Sequence, residues 1–163
     1  WSSDGCSSDL KKKKKKKKMF LKNLYKFLTM AQEFIQSIRS NKLQLKYFTL
    51  KEFDSPDEPG SGSKMDIKFL EKLDYARHNA GVPFKINSGY RSKHWNDKIL
   101  KARIGSSHKL GLAADIRCVN SRDRALIIKA LLDVGINRIG IAKTFIHCDV
   151  DKQKDQDVFW LYD

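Results

Sequence analysis

Long apolar stretches are missing from this chain. Charged residues interrupt every hydrophobic run, so nothing approaches the roughly 18 to 20 consecutive apolar residues that a membrane-spanning helix needs. Cysteine is scarce too: Cys6, Cys118 and Cys148 are too few and too unevenly spaced for a disulfide framework, and there is no CxxC pair of the zinc-ribbon kind. Synthesis in a reducing compartment is the simpler expectation. Export through a signal peptide is not expected, because Lys22 and Lys26 break the one stretch that could hold its apolar core. With 163 residues the chain has room for one ordinary domain, not two large ones. It contains no internal repeat.

Positive charge is in excess, with 33 Lys+Arg against 19 Asp+Glu and a formal charge of +14. Eight of those charges are the unbroken run Lys11 to Lys18. A lysine homopolymer is what an uninterrupted adenine tract encodes, and the CSSDL before it resembles translated sequencing adapter. Residues 1–18 are therefore expected to be a disordered, non-native tail, outside fold reasoning. The rival reading is a basic tail for nucleic acid or anionic lipid. Setting the tail aside removes eight lysines and two aspartates and leaves 25 basic and 17 acidic residues, or +8. That excess is dispersed, and no recognition helix, aromatic RNA-binding motif or finger spacing accompanies it. No specific nucleic-acid partner is expected.

Residues 19–45 read as an amphipathic helical segment, with Leu21, Leu24, Leu28, Phe34, Ile35 and Ile38 at roughly helical spacing. Residues 46–163 read as the compact domain. Within it the Pro, Gly and Ser content of Asp54 to Gly62 marks a surface loop. Ser63 is the expected cap of a helix carrying Met65, Phe69, Leu70, Leu73, Ala76 and Ala80 and ended by Gly81. Ser121 opens a second helix, closed by Gly135. Strands are expected at Phe84 to Ser88, Leu112 to Val119, Ile136 to Ile141 and Phe145 to Val150, with Val158 to Tyr162 as a further candidate. Short connections between the last of them imply antiparallel pairing. The expected class is α+β, helices packed on a small antiparallel sheet, in one monomeric domain.

Three polar islands interrupt this apolar pattern: SGYRS (88–92), GSSHKLGLAAD (105–115) and FIHCDV (145–150). Asp115 lies inside a strand otherwise made of Leu, Ala and Ile, where an unpaired carboxylate costs several kcal/mol. His147 lies inside another apolar strand, and alternation puts Asp149 on its side and Ile146 and Cys148 on the other. If the two strands are neighbours, His108, Asp115 and His147 converge. Two imidazoles and one carboxylate leave a fourth tetrahedral position open, the arrangement of a catalytic zinc site rather than a structural one. A buried histidine satisfied by its core neighbours is the plainer alternative for each.

Taken together, SGYRS, then SxH with Asp seven residues past the His, then a late FIHxDV resemble the zinc D-alanyl-D-alanine carboxypeptidases and related peptidoglycan endopeptidases, including phage lysins. The likeness runs from about Tyr47 to Tyr162. It implies the peptidase fold shared with the Hedgehog signalling domain, and one Zn²⁺ held by His108, Asp115 and His147. It implies that Arg91 polarises the substrate carbonyl or holds the developing oxyanion, and that Tyr90 and Ser106 face substrate. The substrate implied is a peptidoglycan stem peptide, cut by a carboxypeptidase or an endopeptidase. The protein would then be made in the cytoplasm and act at the bacterial cell wall, as a phage-encoded enzyme does.

Two departures from the family stand out. Acids or a histidine commonly precede the last metal histidine by three or two residues, where this chain has Thr144 and Phe145. Asp149 is the nearest acid on that strand face, either the general base or a partner that orients a ligand histidine. After Arg91, His94 sits one place early for the family's His-Asn pair, so neither it nor His78 is taken as a ligand. The rival function is a zinc-bearing cell-wall-binding module that has lost hydrolysis.

Overall fold

The computed structural model describes residues 44–162 apart from 101, 103 and 104, and, nearer the N-terminus, residues 19, 21, 22, 24–26, 28–30 and 32. The chain divides into two units, Trp1–Gln44 and Leu45–Asp163. In the first unit every described residue up to 32 is helical, and Thr29 Oγ donates to the Tyr25 carbonyl at 3.0 Å. The tail of residues 1–18 and the apolar positions Phe34, Ile35 and Ile38 lie outside the described residues.

The second unit is built on two helices. Helix α1 spans Ile67–Ala80 and α2 spans Ser121–Asp133. Helix α1 starts at Asp66, whose carboxylate accepts from the Phe69 N–H at 2.8 Å, rather than at the expected Ser63. Ser63 belongs instead to a separate 3-10 turn, Ser61–Lys64, and Met65 is extended between the two. Gly81 ends α1 in the left-handed region at φ 65°. Helix α2 opens at Ser121 as expected, and the residue before it, Asn120, caps it by accepting from the Asp123 N–H at 2.8 Å. The helices pack together through their buried faces, Leu70, Leu73 and Ala76 on α1 and Ile127, Ala130 and Leu131 on α2. Each large side chain so buried contributes about 1.5–3 kcal/mol.

Five strands form one sheet in the order β1-β2-β4-β3-β5: β1 Lys85–Ser88, β2 Ala113–Arg117, β3 Arg138–Ile141, β4 Phe145–Asp149 and β5 Val158–Leu161. The β1–β2, β2–β4 and β3–β4 pairs are antiparallel, and the β3–β4 pair is the one that the short connection implies. The exception is β5, which pairs parallel to β3, so the sheet is mixed. Both edges of β4 are already taken by β2 and β3, and the chain leaving β4 turns back at the free edge of β3. A strand that reverses after β4 there runs the same way as β3.

Register fixes which residues meet. Asp115 lies opposite His147, and Arg138 opposite Asp149. Ala114, Ile116, Ile139, Ile146 and Cys148 are fully buried. Gly89, just past β1, packs on the Phe53 backbone so closely that a Cβ would come within 2.6 Å of Phe53 Cα. Only glycine permits that approach.

Candidate metal centre

Two rigid pieces of chain bring the central residues together. Asp115 and His147 come from neighbouring central strands. His108 comes from a 3-10 turn, Ser107–Leu110, that leads into β2 and is closed by Gly111 at φ 70°. The Arg91 N–H donates to the His108 carbonyl at 3.2 Å, tying this turn to the end of SGYRS.

His108 Nε2, Asp115 Oδ1 and His147 Nδ1 form a tight triangle. The sides are 3.3 Å between the histidines, 3.3 Å from His108 to Asp115 and 2.8 Å from His147 to Asp115. All three residues are buried. The other ring nitrogens bear on where each neutral ring carries its hydrogen. His108 Nδ1 lies 2.7 Å from the Gly89 carbonyl, which can only accept, so Nδ1 carries the hydrogen and Nε2 holds a lone pair. His147 lies between two carboxylates, with Nε2 3.1 Å from Asp149 Oδ2 and Nδ1 2.8 Å from Asp115 Oδ1; with its hydrogen on the Asp149 side, Nδ1 turns a lone pair to the triangle. In that tautomer three electron-rich atoms face one another. Zinc–ligand bonds of about 2.0–2.1 Å in a tetrahedron put ligand atoms roughly 3.3–3.4 Å apart, and two of the three sides match that spacing. The residues fit a metal ion.

Charge supports the same reading. Burial alone would raise the Asp115 carboxyl, but hydrogen bonds and attraction from His108 and His147 hold it well below the usual carboxylate range. Burial lowers His108, with Asp115 only partly offsetting it. Burial would lower His147 as well, yet its contacts with Asp115 and Asp149 outweigh that and raise it.

Arg91 donates through Nη2 to Asp115 Oδ2 at 2.5 Å and through Nε to Ser88 Oγ at 2.8 Å. It thus holds the oxygen of Asp115 that points away from the histidines. Asp149 is almost fully buried, and both its oxygens are used. Oδ2 faces His147, while Oδ1 accepts from Arg138 Nε at 2.8 Å and from the Asp151 N–H at 3.0 Å. Burial would raise its carboxyl, but these contacts, the one with His147 foremost, keep it low.

A cavity of about 750 Å³ opens over the triangle. One part of its wall is polar and cationic, with Arg91, Ser106, Ser107, Arg138 and Lys154; the other is apolar, with Phe145, Trp160, Leu161 and Tyr162. His108, Asp115 and His147 line it as well. Asp149 does not line it, and neither does Tyr90, whose ring lies 5.1 Å from Lys64 Nζ while its N–H donates to the Phe53 carbonyl. His94 is exposed and faces Asp57 at 3.2 Å; His78 meets the Tyr47 hydroxyl at 2.5 Å. Cys148 is fully buried with its thiol 3.5 Å from the Ala114 carbonyl, and burial pushes it well above the usual thiol range.

Arg138, Lys154, Trp160 and Tyr162 escape a reading by motif. Trp160 and Tyr162 alternate along a strand candidate, and that spacing was the available sign that they share a face. Arg138 and Lys154 carry no local signal, because only the strand register and the turn after β4 bring them to the cavity.

The sequence pattern of the family described as Peptidase M15 matches residues 45–149, most of the chain. The chain belongs to this family. No curated protein matches it significantly. The α+β fold with its mixed five-stranded sheet accords with that membership, and His108, Asp115 and His147 can together hold a metal ion.

Proposed function

We propose that this domain is a zinc metallopeptidase that hydrolyses an amide bond in bacterial peptidoglycan stem peptides. The observation that carries the reading is the tight, buried triangle of His108 Nε2, Asp115 Oδ1 and His147 Nδ1 beneath an open cavity. Bound there, zinc supplies a Lewis acid and brings the pKa of a water toward about 7.

The chain's own residues do the rest. Arg91 fixes the Asp115 carboxylate and turns its remaining N–H groups to the peptide carbonyl oxygen, a suitable task for a planar guanidinium. Asp149 holds the His147 ring through Nε2; of the two roles open to it, this is the one its buried position favours. Ser106 offers a hydroxyl to a carboxylate or amide of the substrate. Tyr90, away from the cavity, serves by anchoring the backbone beside Arg91. Arg91, Arg138 and Lys154 give the cavity a cationic side, which suits stem peptides and their free carboxylates. Every residue in this scheme comes from one chain, so a monomer at the cell wall suffices.

Metal analysis of the purified protein and of its His108→Ala variant tests the site, with about one zinc expected to be lost. Equal zinc in both would refute it. Release of D-Ala or stem-peptide fragments from cell walls, abolished by chelator, tests the activity. The second reading, a zinc-bearing wall-binding module without turnover, is favoured by one observation. Asp115 is the sole carboxylate lining the cavity among the described residues, with Phe145 where a base would stand. Chelator-sensitive binding to walls without fragment release would support it.

A further inference from the structure

Tyr162 reaches the cavity from beyond the family-matched segment, which ends at residue 149. Its position is well supported. The Tyr162 N–H donates to the Ile141 carbonyl at 2.9 Å, extending the β3–β5 pairing past the strand, and alternation places Trp160 and Tyr162 on one face. Gly140 of β3 lies against both: a Cβ there would come within 2.5 Å of Tyr162 and 2.6 Å of Trp160. The Trp160 and Tyr162 rings lie 5.5 Å and 6.4 Å from the His147 ring, and Phe145 packs on Tyr162 at 5.2 Å.

A phenol carries one O–H donor, and the cavity that Tyr162 lines also holds the triangle and Arg91. A peptide carbonyl placed near Arg91 would have one strong donor on one side and this phenol within the same chamber.

We propose that Tyr162 donates its hydroxyl hydrogen to a carbonyl oxygen of the bound peptide, as a catalytic residue alongside Arg91. This rests on the peptidase reading above and adds a donor that lies outside the matched segment. Removing one such donor typically costs about 10²–10³ in turnover.

The test compares the full chain with its Tyr162→Phe variant on a D-Ala-D-Ala-ended stem peptide. Tyr162→Phe should lower kcat roughly a hundredfold. Calorimetry with the metal-free protein should show peptide affinity weakened about threefold to tenfold by Tyr162→Phe. Zinc content and urea midpoint should stay unchanged. Wild-type turnover and affinity in Tyr162→Phe would overturn the proposal, as would a loss that comes with lost zinc or a lower midpoint. Failure of the unsubstituted protein to release any fragment would instead remove the peptidase reading, and the affinity comparison alone would then decide on Tyr162.

Discussion

Asp149 and Arg138 lie directly across from each other on β4 and β3, joined by a 2.8 Å contact, and the same carboxylate touches His147 through its second oxygen. One acid thereby couples a buried arginine of the cavity wall to a candidate metal ligand.

Replacing Asp149 by Ala should strand both partners. Breaking a buried ion pair from one side costs about 3–5 kcal/mol, and losing the partner of a ligand histidine typically weakens metal binding about 10- to 100-fold. Urea unfolding and zinc competition measure the two. A variant with wild-type zinc affinity but no turnover would return Asp149 to the role of general base.

Zinc should raise the thermal midpoint at pH 7.5 and do so less at pH 5.5. Ligand histidines must be neutral to bind metal, and Asp115 and Asp149 keep the proton on His147 to a higher pH than an ordinary histidine would. Acid therefore sets a proton against the metal earlier than usual. At a hundredfold excess over Kd the gain is about 2.7 kcal/mol, readable by calorimetry at the two pH values. An equal gain at both would show that His147 is not among the ligands.

Gly140→Ala should loosen β5. Its methyl group would overlap Tyr162 and Trp160, and overpacking of this kind costs about 1–3 kcal/mol. The expected result is a lower urea midpoint. An unchanged midpoint would mean that the aromatic pair is free to slide.

Asp57 ties the 54–62 loop to the segment after Arg91. It accepts from Ser55 Oγ at 2.5 Å and from Ser92 Oγ at 2.6 Å. These two bonds, Ser55 first, bring its carboxyl down to about 2. A group lowered on folding stabilises the protein above its unfolded value near 3.9 and loses that contribution as pH falls through the folded one. The stability gap between wild type and Asp57→Asn should thus be full at pH 5 and close toward pH 2. A gap independent of pH over that range would show that charge on Asp57 plays no part.

Local pattern was enough for the α+β class, for five strands in nearly their observed positions and for the triad as candidates, because each rests on alternation or on residue type in an apolar run. Helix α1 was misjudged at its start for a physical reason. Ser63 and Asp66 are both good caps, and the choice between them depended on the 3-10 turn that uses Ser63. The parallel edge strand was hidden because direction follows from which edge of the sheet is free, a property of the assembled sheet. The same holds at the site. That Asp149 faces an arginine, that Arg91 grips the back of Asp115 and that Tyr90 lies away from the cavity all depend on register and backbone path, which no motif encodes.

With β4 flanked on both sides, His147 sits at the middle of the sheet, and Asp115 on the strand next to it. The conformational entropy lost in assembling this chelate is charged to sheet formation, before any cation arrives. Stripping the ion should therefore leave a folded scaffold that reloads rapidly, unlike small zinc domains that collapse when their metal is removed.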